Sequence, residues 1–251
     1  MKFTRPEDTQ TRPPDERRCV IGVDLGQAVD STAVVIAEQE RFDAEGGRQA
    51  TRLLVRHVER LPLGTGYPAV VERLAQIKFN QRPEVEAFLR RAPMLMDATG
   101  LGRPVVEMAK ERGLNVVPVV FTGGDRATFD DQSRSWRVPK ATLVSSVQTF
   151  LQRGRLRLPG GFPETLTLVD ELKTFSLRVS AAGNLSFEAE AGRHDDVVMA
   201  LAMVCWWSLE KPLPTWTKES FVHIPRRSIF GRRKPVWRTR STPTNREKRW
   251  T

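Results

Sequence analysis

The stretch Cys19-Val20-Ile21-Gly22-Val23-Asp24 carries five small or apolar residues straight into a carboxylate, and what lies on either side of it decides the architecture. Leu25-Gly26-Gln27 turns the chain, and Ser31 to Ala37 (STAVVIA) is a second β-branched run. Asp43 to Gly47 reads as another turn and Leu53 to Leu61 (LLVRHVERL) as a third strand. Three strands joined by short turns make an antiparallel meander. Tyr67 to Phe79 then places Val70, Val71, Leu74 and Ile77 at helical spacing, with Pro68 suited to a first turn. A second helix is expected over Pro83 to Arg91. Met94-Leu95-Met96 is a buried strand ending at Asp97, followed by the Gly-rich turn Ala98 to Gly102, a helix from Pro104 to Arg112 and a strand from Val116 to Phe121. This is a β-α-β unit, whose two strands should be parallel.

Beyond it, Thr122 to Arg137 reads as a long polar loop, and Pro139 to Gln152 and Leu166 to Lys173 as helices. Phe175 to Val179 and Leu185 to Ala189 look like a hairpin closed by Ala182-Gly183-Asn184, and Asp195 to Leu209 is a strongly apolar helix. The expected fold is α/β: a mixed central sheet, three antiparallel strands then parallel ones, flanked by helices and carrying a β-hairpin insertion.

Composition narrows the class. The chain has 251 residues, 39% hydrophobic and 28% charged, enough to bury a core without disulfides or a structural metal. The longest apolar run, Val197 to Trp207, is too short to span a bilayer, and residues 1–18 hold no apolar stretch of the secretory kind. Cys19 and Cys205 form no CxxC or Cys/His spacing. A cytoplasmic protein that contacts no membrane is expected.

The net charge of +10 is unevenly placed. Residues 211–251 hold 12 Lys and Arg against Glu219 and Glu247, together with Trp216, Trp237 and Trp250. The organisation expected is therefore a flexible segment over 1–18, a near-neutral domain over 19–210 and a basic, Pro- and Trp-containing tail over 211–251. Cations interleaved with aromatics suit phosphate neutralisation and base stacking. Arg226, Arg227, Arg232, Arg233 and Lys234 are the tail's candidates for contact with DNA; a solubilising or partner-docking tail is the plainer reading.

Three places put Asp where an apolar element meets a turn: Asp24, Asp97, and the pair Asp195 and Asp196 that opens the last helix. In open sheets functional groups gather at strand carboxyl ends. If the first and fourth strands are neighbours, Asp24 and Asp97 meet. Carboxylates crowded into one cleft raise each other's pKa, and hard divalent cations relieve the repulsion. Taken singly, each is more commonly a cap or turn residue, and Asp195 in particular suits a helix cap. Helical spacing does not choose between Asp195 and Asp196.

Four stretches together carry a resemblance: Ile21-Gly22-Val23-Asp24-Leu25-Gly26-Gln27 with Asp30, Leu95 to Arg103, Pro139-Lys140, and Gly192-Arg193-His194-Asp195-Asp196-Val197-Val198-Met199-Ala200-Leu201-Ala202. Residues 19–210 resemble the ribonuclease H-like nuclease domain of bacteriophage terminase large subunits, which cut concatemeric DNA during genome packaging. The resemblance implies a metal-dependent DNA endonuclease in which Asp24, Asp97, Asp195 and Asp196 bind two Mg²⁺ or Mn²⁺ ions, with Asp30 beside them in a supporting or structural position. His194 either orients a carboxylate or takes part in proton transfer, or is a solvated turn histidine. Arg103, Lys140, and Arg134 and Arg137 from the 122–137 loop are candidate DNA contacts. The implied partners are DNA, a separate packaging ATPase, a small terminase subunit and a portal, in the host bacterial cytoplasm.

One departure is large: terminase large subunits couple this nuclease to an ATPase, and no GxxxxGK[ST] occurs in the sequence. A RuvC-like Holliday-junction resolvase and a catalytically silent DNA-binding or assembly protein are the rival readings. An actin-like or sugar-kinase-like ATPase, suggested by Ile21 to Gly26, would need a second lobe that the sequence does not supply.

Overall fold

A computed structural model describes residues 2–4, 17–26, 30–44, 49–80, 83–100, 102–160, 163–174, 176–179, 185–188 and 195–213, all within the first of the two units into which the chain divides, Met1–Pro214. The strands are β1 (Lys2–Thr4), β2 (Arg17–Asp24), β3 (Ala33–Asp43), β4 (Gln49–Arg60), β5 (Met94–Asp97), β6 (Val116–Thr122), β7 (Thr128–Asp130), β8 (Ser135–Pro139), β9 (Leu156–Pro159), β10 (Ser176–Val179) and β11 (Leu185–Glu188). The helices are α1 (Tyr67–Lys78), α2 (Pro83–Arg90), α3 (Gly102–Glu111), α4 (Lys140–Gln152), α5 (Pro163–Thr174) and α6 (Asp196–Glu210). Nine strands form one sheet in the order β1-β9-β4-β3-β2-β5-β6-β8-β7, and β10 and β11 pair separately as an antiparallel hairpin.

The expected mixed sheet is observed. β2, β3 and β4 are antiparallel neighbours, and β5 lies parallel to β2 on one side and to β6 on the other. Met94 and Met96 face one layer and Leu95 the other, which is why this four-residue strand is apolar throughout: it is covered on both faces. One core joins the sheet to α4, α5 and α6, and the other joins it to α1, α2 and α3.

Several expectations are corrected. The 122–137 segment is not simply a polar loop: it contains β7 and the start of β8, and β8 runs parallel to β6. These strands are too short for periodicity to show. Trp136 anchors them from outside by packing edge-on against Trp206 and Trp207 of α6, with ring centres 5.4 and 6.5 Å apart. β9, which the sequence reading left without an element, pairs parallel to β4. Within 1–18, expected as a flexible segment, Lys2–Thr4 pairs with β9 and Arg17 and Arg18 open β2.

β3 continues past Ala37 through Glu38, Gln39, Glu40 and Arg41, all buried. Such residues stay inside only when paired. Glu38 meets Arg17 and Arg56 at 2.9 Å each, Glu40 meets Arg52 at 2.5 Å, and Arg18 donates to Gln39 at 2.7 Å.

Helix α6 is buried on nearly every side, as its uninterrupted apolar sequence requires. It crosses β2 in direct contact at Gly22, where an added Cβ would stand 2.1 Å from the carbonyl oxygen of Ala200 and 2.9 Å from Val204. Backbone cannot yield there as a flexible side chain would. Gly22→Ala is therefore expected to destabilise the protein by about 3 kcal/mol or more, read as a lower urea midpoint. An unchanged midpoint would contradict this close crossing.

Candidate functional site

Strand parity sets the position of the first two carboxylates. On β2, Val20 belongs to the α6-side core whereas Cys19, Ile21 and Val23 belong to the opposite one, so Asp24 emerges on the α6 side. On β5, Leu95 lies on the α6 side and Asp97 follows it. The register Val23 to Met96 brings Asp24 and Asp97 level at the carboxyl ends of two adjacent parallel strands. Sequence reasoning had made their meeting conditional on that strand order.

The last helix supplies the other two. Ala200 touches Gly22, so going back one turn of α6 travels about 6 Å, as does going forward two residues along β2. Asp195 and Asp196 thereby come to the level of Asp24. The electrostatics agree: burial pushes the Asp24 carboxyl well above the ordinary range, and the charges of Asp97, Asp196 and Asp195 push it further, with Lys140 opposing. Asp97 is also raised, chiefly by burial. A hydrogen bond from the Thr99 amide to its Oδ1 at 2.8 Å and the nearby Lys140 act in the other direction.

Asp195 and Asp196 are not equivalent. Asp195 occupies the N-cap position of α6 yet makes no capping hydrogen bond; its Oδ2 accepts from Lys140 Nζ at 3.1 Å. Asp196 is only 4% exposed and forms an ion pair with Arg60 at 3.5 Å. Lys140 reaches the cluster because β8 ends beside β6 at the same edge of the sheet and hands the chain directly to α4. The strand that sequence reading missed is thus the one that delivers the cation.

Other candidates fall elsewhere. Asp30 is exposed, and its backbone carbonyl lies 2.2 Å from where a Cβ on Gly26 would stand. Arg103 is exposed at the start of α3. Arg137 is exposed on β8, and Arg134, with φ of 50°, stacks over Phe129 at 5.5 Å. His194, Arg226, Arg227, Arg232, Arg233 and Lys234 lie outside the described residues.

Two residues were missed, Arg60 at the end of β4 and Glu171 on α5. Half-buried Arg60 pairs with both Asp196 and Glu171, and buried Glu171 accepts from the Val197 and Val198 amides at 3.1 Å each. An acid three residues after the fully buried Leu168, on the inward stripe of α5, was the available signal.

Four carboxylates faced by two cations make a donor set of hard oxygens, chemically suited to a divalent cation. Among the described residues, no three Asp, Glu, His or Cys side chains already close on a common point as a metal cage. What fits is the chemistry: partly buried acids held near one another at an energetic cost that a cation would remove. The other ionisable features do not compete. Cys19 and Cys205 are buried thiols, and burial pushes Cys19 up to about 12. A cavity of about 490 Å³ between β2, α1 and α2 opens on the opposite face of the sheet. Its arginines are matched by Glu38 and Glu59.

No family profile matches the chain. In sequence it is 26% identical over 147 residues to the terminase large subunit of Thermus phage G20c, a match covering 57% of this chain and 27% of that protein. The chain thus spans about a quarter of the length of that curated relative. In structure it matches the large terminase nuclease of thermophilic phage G20c, solved with bound magnesium, at a TM-score of 0.51 and 21% identity, covering 81% of this chain and 84% of that one. The Thermus phage P74-26 large terminase nuclease domain gives a TM-score of 0.52 and 21% identity over 83% and 87%. The likeness to terminase large subunits read from the motifs therefore extends to the fold, which is that of the ribonuclease H-like terminase nucleases.

Proposed function

We propose that this chain is a divalent-metal-dependent DNA endonuclease, the nuclease part of a phage terminase. The observation that carries the reading is the gathering of Asp24, Asp97, Asp195 and Asp196, from three separated parts of the sequence, at one edge of the sheet. Asp24 and Asp97 would hold cations from the strand ends, and Asp195 and Asp196 from the helix. Two Mg²⁺ or Mn²⁺ ions bound there would supply an acidified water for attack and positive charge for the departing 3′ oxygen of a phosphodiester. Lys140 pairs with Asp195 and would be released toward a substrate phosphate if a cation took over that carboxylate. The similar nuclease from phage G20c binds magnesium, which supports the choice of cation. DNA is the substrate, and a packaging ATPase, a small terminase subunit and a portal are the partners this reading implies.

A catalytically silent DNA-binding protein is the second reading, favoured by Lys140 and Arg60, which already pair with Asp195 and Asp196. Supercoiled plasmid incubated with EDTA, Mg²⁺ or Mn²⁺ separates the two. Cleavage that requires the metal establishes the nuclease; a folded protein that binds DNA without cutting it in any of the three leaves the silent reading. A four-way junction beside linear duplex then tests the resolvase alternative.

The basic tail gives a separate prediction. Its cut belongs after Pro214 rather than after Glu210, because Leu213 is 5% exposed and the Lys211 carbonyl accepts from Arg18. Residues 215–251 retain 11 Lys and Arg against two acids. Were about six of those cations to meet phosphates, log K for DNA would fall with log salt at a slope steeper by about 5 than without them. Removing 215–251 is expected to flatten the slope by several units and spare the metal response, and a slope that stays the same assigns the tail to another partner.

A further inference from the structure

Glu171 performs the capping that the position of Asp195 would ordinarily require. An N-cap aspartate normally accepts from the amides two or three residues into the helix. In α6 those amides belong to Val197 and Val198, and both donate to Oε2 of Glu171, at 3.1 Å each, from a different helix. Asp195 makes no capping bond and turns to Lys140 instead. The other oxygen of Glu171 engages Arg60, whose guanidinium also pairs with Asp196. One buried acid thus satisfies the helix end, and one arginine ties that acid to the neighbouring carboxylate.

We propose that Glu171 is a surrogate cap that keeps Asp195 turned toward the metal site, and that Arg60, bridging Glu171 and Asp196, holds Asp196 beside it. Both are positioning residues, and the assignment rests on reading Asp195 and Asp196 as cation ligands. The arrangement resolves a conflict written into the sequence: two adjacent aspartates at a helix start cannot both serve chemistry if one of them must cap. Without Glu171, the two amides are bare, and Asp195, which already holds the N-cap position, would swing onto them and leave the site.

The test uses the full chain, with Mn²⁺ binding followed by the electron paramagnetic resonance signal of free Mn²⁺ and metal-free melting measured in parallel. Glu171→Ala is expected to weaken Mn²⁺ binding about tenfold while lowering the metal-free melting temperature little, because Asp195 takes over the cap. Asp195→Ala should then cost stability in the Glu171→Ala background and almost none in the native one. Melting that falls with Mn²⁺ affinity intact would make Glu171 a structural cap only and overturn the proposal.

Arg60→Met separates position from charge, since removing a cation beside a metal site tightens Mn²⁺ binding on Coulomb grounds alone, whereas loss of positioning weakens it. Tighter binding overturns the role of Arg60. Glu171→Gln removes the same charge but keeps an acceptor for the Val197 and Val198 amides. Mn²⁺ binding near native there, beside the loss of about tenfold in Glu171→Ala, supports the cap; equal weakening in both makes the lost charge the cause and overturns it. If Glu171→Ala does not fold, Glu171→Met takes its place. A native chain that takes up no Mn²⁺ overturns the metal-site reading together with this one, whereas normal uptake by every variant overturns this one alone.

Discussion

Asp24→Asn is expected to lose metal-dependent cleavage by about 10³-fold or more, and to fold at least as stably as the native chain in the absence of metal. The first half follows from the proposed role. A carboxylate bound to a catalytic cation contributes several kcal/mol of transition-state stabilisation, and about 4 kcal/mol is a factor of roughly 10³ in rate. The second half follows from the electrostatics. The Asp24 carboxyl is pushed up by burial and then by three neighbouring aspartates, so its charge is a cost to the metal-free fold. Asn keeps the shape and removes the charge. The experiment pairs plasmid cleavage in Mg²⁺ with a metal-free melting curve. A variant that melts normally and cuts normally would remove Asp24 from the site; one that fails to fold would show that its charge is structural, against the direction of its pKa.

Mg²⁺ or Mn²⁺ is expected to raise the melting temperature, and the rise should grow with pH. The folded pKa values of Asp24 and Asp97 both lie above the ordinary 3.8. The folded, metal-free protein therefore holds protons that the unfolded chain has released. Stability from these groups is fully present below about pH 3.8 and is lost as pH rises through their raised values. Metal-free stability should accordingly decline with pH across that window. A cation competes with those protons and binds the folded cluster, so its contribution is largest where the carboxylates are ionised. At a hundred times Kd it amounts to about 2.7 kcal/mol, or several degrees for a chain of this size. Melting curves with EDTA and with Mg²⁺ at several pH values check this. A shift that is flat with pH, or absent, would mean that the cation binds elsewhere or not at all, and Asp24→Asn should reduce the pH dependence.

Much of the frame was legible because the residues that build it obey local rules. β2 and β5 announce themselves as apolar runs stopped by an acid, and a β-α-β unit allows only one common hand and a parallel pair. Asp24 and Asp97 could be named as candidates from that alone. The polar half of β3 could not be read as buried, since Glu38, Gln39 and Glu40 are tolerated there through Arg17 and Arg18 of β2 and Arg52 and Arg56 of β4, adjacent in the sheet and separated in the chain. β8 escaped for the same reason: Trp136 is held by Trp206 and Trp207, some seventy residues further on.

The sequence by itself determined the supply of chemistry: acids at two strand ends and at one helix start, a neutral body and a basic tail. Only the tertiary structure decided which of these act on one another. Helical spacing left Asp195 and Asp196 indistinguishable, because both lie along apolar rows of α6. Packing separates them, burying Asp196 against Arg60 and turning Asp195 toward Lys140. Arg60 carries no local pattern that marks it, and Glu171 only its place on the inward stripe of α5; what either does depends on a helix end more than 20 residues away in sequence. Periodicity reports which face of an element is apolar, and it is silent on which charges are brought together when those faces are buried against one another.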